Sequence, residues 1–424
     1  MTEPSISTLE HVVDQLRRQD LHEQVQLLES LPVETAGAAF NGLDEGHQGA
    51  LLAELSPERA AALFAVVHAD DRARLLSAGP SVDAIALLGS LDQDERRYTE
   101  QLLRYPPESV GRMMTPRYLT VGPQDQREDI LGLVRACAAE VDTVYILPVT
   151  EGGSLVGTTT LRDVVSAPDG SRAGDVMLPP DPVLHPAQDQ EEAARLVLAT
   201  ELLAVPVIDD SGMMLGLVTV DDAMEVLQLE ESEDIARGSA RQPLGRPYLS
   251  ASPLQLARSR VAWLLVLALA ATLTVNVLEV FESELEEVVA LALFIPLLIG
   301  TGGNAGAQAT TTVVRAMAIG NVHFRDLLRV VWRELRVGVM LGGVVGLLAL
   351  GPVTLLYDWR LATTVALTLV SICTLATMVG SALPILAGRL GLDPAVVSAP
   401  FVTTLVDASG LIVYFLYARA IFAL

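Results

Sequence analysis

Five apolar runs fill the end of this chain, at about 261–281, 288–312, 337–357, 361–387 and 395–421. Each is near or above the roughly 20 residues that cross the hydrocarbon of a bilayer. A backbone in lipid must satisfy its own N–H and C=O groups, so the expectation is an all-α membrane domain of five helices. Arginines in the links set its orientation. Arg258 and Arg260 precede the first run; Arg315, Arg325, Arg329, Arg333 and Arg336 join the second to the third; Arg389 lies between the fourth and fifth. The remaining links read FESELEE and DWR. Arginine-rich links face the cytoplasm, which puts the residues before the first run inside the cell and the C-terminus outside, in a multi-pass protein of the inner (plasma) membrane.

At roughly 150 residues per domain, 424 residues predict about three units. Residues 1–257 hold 42 Asp and Glu against 18 Arg, while residues 258–424 hold 10 of each kind, so the net charge of −24 lies wholly in the first part. Such a surface repels nucleic-acid phosphates and attracts cations, which excludes a nucleic-acid partner. Cys137 and Cys373 lie in separate regions and form no disulfide framework, as suits a reducing compartment. The opening MTEPSISTLEHVVDQLRRQD is polar and helix-patterned, without the apolar core of a signal peptide. The expected divisions are an N-terminal helical domain (1–108), a tandem α/β domain (109–227), a linking helix (228–256) and the membrane domain (257–424).

Two repeats support those divisions. LLESLPVETAGAAFNGL, LLAELSPERAAALFAVV and LLSAGPSVDAIALLGSL echo one another, with Pro32, Pro57 and Pro80 each at a predicted first helical turn, the pattern of a small α-solenoid. Later, MMTPRYLTV…VYILPVTEGGSLVGTTTLRDVV recurs as VMLPPDPVL…LLAVPVIDDSGMMLGLVTVDDAMEVL. Each unit predicts strand, helix, strand, turn, strand, helix, with hairpin turns at EGGS and DDSG and a threonine opening each last helix. The tandem resembles a pair of cystathionine-β-synthase (CBS) motifs. That resemblance makes Asp163, Arg162 and Tyr145 candidates for an adenine nucleotide such as ATP, while Asp163 could equally serve only as a helix cap.

Asp407, in FVTTLVDASGLIVYF, is the ionisable side chain well inside a run. Burying it there costs about 2.5–3.5 kcal/mol on insertion scales, so it should face water, a partner or an ion. A hydrogen bond from Thr403 or Ser409 is the structural alternative. FIPLLIGTGGNAGAQATTT (294–312) places Pro296, several glycines, Asn304, Gln308 and four threonines in another run. Polar backbone of that kind is tolerable against a water-filled axis. Five helices with one carboxylate make a thin conduit, so a homodimer contributing Asp407 twice about its axis is expected. Such a pair suits a divalent ion that keeps its waters, as Mg²⁺ does.

PLLIGTGGNAGAQ, DPAVVSAPFVTTLVDASGLIVYF and TVDDAMEVLQLEESEDI, in this order of domains, resemble the MgtE family of magnesium channels over essentially the whole chain. The resemblance implies a homodimeric Mg²⁺ pore with Asp407 binding the hydrated ion and Gly302, Gly303, Asn304 and Gly306 lining it. It further implies closure at high cytosolic Mg²⁺ by ions bound among Asp189, Glu191 and Glu201 of the second CBS unit and Asp222, Glu225, Glu230, Glu233 and Asp234 of the linking "plug" helix. Asp393, at the mouth of the fifth run, matches a further family site, and Ala307 departs from relatives that carry a polar residue. The alternatives are a carrier of Co²⁺ or Mn²⁺ and a membrane-anchored nucleotide or ion sensor without transport. No His, Cys or Met cluster near Asp407 favours a softer metal, and no nucleophile–base pair suggests an enzyme.

Overall fold

The computed structural model describes residues 6–43, 45–77, 83–243, 251–394 and 399–424. They form two compact units, one of the described residues up to Glu231 with Ala251 and Ser252, the other of Ser232–Pro243 and the described residues from Pro253 onward.

The first unit opens with eight short helices, α1 (Ile6–Arg18), α2 (Leu21–Ser30), α3 (Val33–Asn41), α4 (Glu45–Glu54), α5 (Pro57–Val66), α6 (Ala69–Ser77), α7 (Ala84–Ser90) and α8 (Gln93–Leu102). Helices pack two apart in sequence, α1 on α3 on α5 on α7 and α2 on α4 on α6 on α8, which is how a solenoid stacks. Pro57 occupies the first turn of α5 and Pro32 stands just before α3, where a missing N–H costs nothing; Pro80 lies outside the described residues. Leu28, Phe40, Leu51, Leu63 and Phe64 are fully buried between these rows.

Next come α9 (Val110–Met113), α10 (Arg127–Cys137), β1 (Ile146–Glu151), β2 (Ser154–Thr160), α11 (Leu161–Ser166), α12 (Ala173–Val176), α13 (Gln190–Thr200), β3 (Ala204–Ile208), β4 (Met214–Thr219) and α14 (Val220–Gly238). Both expected hairpins form, β1 antiparallel to β2 and β3 to β4. Gly152 and Gly153 take φ of 60° and 89° at the first turn and Gly212 takes 83° at the second, values that favour glycine. The strand expected to open each repeat is reduced to isolated parallel bridges, Tyr118 to Thr143 and Val121 to Val149 in the first and Leu184 to Val207 in the second. Thr160 and Thr219 cap α11 and α14, accepting from the backbone N–H of Asp163 (3.1 Å) and Asp222 (3.4 Å). An ionic chain fastens the solenoid to this domain: Arg72 on Glu95, Glu95 on Arg117 (3.2 Å), Arg117 on Asp142 (2.9 Å) and Asp142 on His68 (2.9 Å).

In the second unit lie α15 (Pro253–Val280), α16 (Glu282–Glu287), α17 (Ala290–Ala318), a 3-10 turn (Phe324–Asp326), α18 (Leu327–Leu356), α19 (Trp359–Arg389) and α20 (Ala399–Phe422). The five long helices are long and apolar enough to cross a membrane. The third starts at Leu327, earlier than the apolar pattern suggests, because arginine continues a helix well. Helix α17 packs on α19 and α20, α18 on α19, and α15 on α20. FESELEE becomes α16, whose buried Glu284 pairs with Arg419 while that guanidinium lies 4.9 Å over Phe281.

Candidate cation site and its acidic surroundings

The glycine-rich run is one continuous helix through Pro296. Three of its threonines turn their hydroxyls back onto it: Thr301, Thr310 and Thr312 each donate to the carbonyl four residues back, at 2.7, 2.9 and 2.7 Å. Its glycines are places of close approach. A Cβ on Gly302 would stand 2.2 Å from Ile372 Cγ2, and one on Gly306 3.2 Å from Val402 Cγ1. A Cβ on Gly303 would meet Thr403 Cγ2 at 3.3 Å and Asp407 Oδ1 at 3.7 Å. These three positions let α17 close on α19 and α20, and within one chain they are buried; Asn304 and Gln308 are exposed.

That closeness seats the Asp407 carboxylate against the backbone of Gly303. Its Oδ1 is screened from solvent and has no hydrogen-bond partner. Neither expected local partner serves it, because Thr403 donates to the Pro400 carbonyl (2.8 Å) and Ser409 to that of Leu405 (2.9 Å). A carboxylate oxygen buried without a donor is costly and suits a cation or its bound water.

The acids expected to sense metal are dispersed, and several have protein partners. Asp189 caps α13, accepting from the N–H groups of Glu191 (2.9 Å) and Glu192 (3.2 Å). Glu191 pairs with Arg195, and Glu225 with Arg74 (3.0 Å). Glu230 accepts from Gln190 (2.9 Å). Arg237 holds both Glu233 and Asp393 within the second unit, which also contains Asp234. Among the described residues no three His, Cys, Asp or Glu side chains converge as a metal cage.

Asp222 differs. Burial pushes its carboxyl up to about 7; Asp221 and Asp71 add repulsion, against the lowering effects of the Thr219 hydroxyl (2.5 Å) and Arg74. Burial, then the charges of Asp222 and Asp71, raise Asp70 well above the ordinary carboxylate range. Sequence reasoning passed over Asp70 and Asp71, because ADDRARLL reads as an ordinary helix start and nothing local announces that α6 meets α14.

Tyr145, Arg162 and Asp163 come together in a cleft of about 690 Å³, with Ile146, Leu161 and Leu203 as apolar lining and Glu201 at its edge. Glu201 thus belongs to this cleft, in the left-handed conformation (φ 57°) that ends α13. Asp163 accepts the Thr160 hydroxyl at 2.6 Å.

The family model described as "Divalent cation transporter" (MgtE) matches residues 295–417, that of the MgtE intracellular N domain residues 8–108, and that of the CBS domain residues 173–229. The chain is 36% identical to the magnesium transporter MgtE of Thermus thermophilus, over 99% of this chain and 96% of that one. It is 28% identical to the magnesium transporter MgtE of Bacillus subtilis, over 96% and 93%. Among solved structures, the cytosolic domain of the Mg²⁺ channel MgtE in complex with ATP is similar at 29% identity and a TM-score of 0.39, over 50% of this chain and 93% of that one.

Proposed function

The chain belongs to the MgtE family, and from that premise we propose that it imports Mg²⁺ across the cell membrane through a pathway at Asp407. The observation carrying this reading is the buried Asp407 Oδ1 without a hydrogen-bond donor, held by Gly303 inside a bundle of membrane helices. Two copies present two such carboxylates about a shared axis. Mg²⁺ gives up its waters reluctantly, so the carboxylates accept hydrogen bonds from the hydrated ion while their charge offsets its own. Asn304, exposed on α17, is the further contact along this route. The arginine-bearing links and the acidic first unit lie in the cytoplasm. Complementation of a magnesium-dependent bacterial strain tests the assignment: Asp407→Ala should abolish growth at low Mg²⁺, and growth equal to wild type would overturn it.

Cytosolic Mg²⁺ closes the pathway by binding among the acids of the first unit and the linking helix. Asp222 is the strongest position, because Asp70 and Asp71 oppose its charge and a divalent ion removes that repulsion. Closure is then a population shift set by differential ion affinity. The cleft at Asp163 takes the adenosine end of ATP, with Tyr145 and the leucines against the base and Asp163 on the ribose. Equilibrium dialysis of labelled ATP should show binding that Asp163→Ala removes; equal binding by both would discard this part.

A further inference from the structure

We propose that the exposed face at the start of α18 seats an anionic phospholipid. Arg329, Trp332, Arg333 and Arg336 recur there at helical spacing, and the same face continues into Met340 and Leu347. Trp332, Met340 and Leu347 are 60%, 70% and 74% exposed. The face therefore changes from guanidinium and indole to purely aliphatic along one helix.

From Arg336 to Leu347 the rise is about 16 Å, close to the roughly 15 Å depth of one leaflet's hydrocarbon. An indole at the change of polarity is the usual marker of a membrane–water boundary. Arg329 pairs with Asp326 at 2.9 Å. Arg325, Arg333, Arg336 and Arg389 have no carboxylate in ion-pair range among the described residues. Arg336 sits 6.0 Å over the Trp332 ring, and Arg389, from the end of α19, lies 4.1 Å over Phe324. Arg333 and Arg336, without an ion-pair partner among the described residues, thus stand at the head of an exposed aliphatic strip, with Arg389 beside Phe324 just before the helix begins. An acidic protein surface would satisfy only the arginines, and a second copy of the strip would satisfy only the aliphatic part. A lipid with a phosphate-borne negative charge and acyl chains satisfies both.

Native mass spectrometry of the full-length chain, given equal phosphatidylglycerol and phosphatidylcholine in EDTA, tests this. Wild type should retain phosphatidylglycerol by about fivefold or more, the size expected of one or two screened arginine contacts. Arg333→Gln with Arg336→Gln should bring retention to parity, and the paired lysine variants should keep the preference. No preference in wild type, or full preference in the glutamine pair, overturns the proposal.

A second measurement leaves the arginines intact. The chain has 3 tryptophans, so Trp263→Phe with Trp359→Phe isolates Trp332. In vesicles its fluorescence should be quenched more by brominated phosphatidylglycerol than by brominated phosphatidylcholine, and inorganic phosphate should leave that difference unchanged. Equal quenching, no quenching because another protein surface covers Trp332, or loss of the difference with phosphate would each sink the idea.

Discussion

Asp407 and Gly303 act as one unit, because the carboxylate is placed by the absence of a side chain opposite it. The Cβ of an alanine at 303 would press on Thr403 Cγ2 at 3.3 Å and stand 3.7 Å from Asp407 Oδ1. Overpacking of this kind costs about 1–3 kcal/mol, and here the groups that yield flank the proposed ion site. Gly303→Ala should therefore slow Mg²⁺ uptake into proteoliposomes by about tenfold, as 1.4 kcal/mol at the site would. Thr403→Ser removes the methyl group in the way and should be nearly neutral alone. The double variant should recover part of the loss, since residues in contact couple. Simple addition of the two single effects would mean that the glycine matters for some other reason.

At the scale of elements, helix contacts rest on small residues as much as on apolar ones. Gly338, Gly342 and Gly346 form a ladder on α18 against α19, where a Cβ on Gly342 would lie 2.5 Å from Val370 Cα, a backbone atom that cannot swing aside. The next residue, Gly343, has nothing within 4 Å of its Cβ position. Gly342→Ala should lower stability by about 1–3 kcal/mol, whereas Gly343→Ala should be neutral or gain up to about 1 kcal/mol of helix propensity. Thermal unfolding in detergent should separate the two; matched melting curves would contradict the packing. This ladder also marks how far the sequence could be read. Five spans, two hairpins and the capping threonines were legible because period, length and turn chemistry are local. The glycine run of α17 suggested a polar lining, and within one chain its glycines also make packing contacts, because composition signals close approach without naming the partner. The acids of the linking helix looked uncompensated, yet Arg74 meets Glu225 from 151 residues away, and the helix's own Arg237 meets Asp393, outside it, from 156. Ion pairs closed by the fold leave no mark in a window of sequence.

For the whole molecule the decisive quantity is where the charge lies. All of the −24 resides before residue 258, where 42 acids face 18 arginines, and the arginines that pair do not remove the excess. Two carboxylates about 4 Å apart repel by roughly 1 kcal/mol in water and roughly 4 kcal/mol at an effective dielectric of 20. Within the first unit Asp70 and Asp222 are raised above their ordinary range first by burial and then by neighbouring carboxylates. Millimolar Mg²⁺ should offset that repulsion, so limited proteolysis of the full chain should be slower in the first unit with Mg²⁺ than in EDTA. Asp70→Asn relieves part of the repulsion without metal and keeps the shape of the side chain. In EDTA the variant should digest more slowly than wild type, and Mg²⁺ should add less protection to it. A variant that digests like wild type in both conditions would show that Asp70 and Asp222 do not hold the electrostatic lever, and would move the sensor to the acids around Arg237, whose partners Glu233 and Asp393 already share one guanidinium.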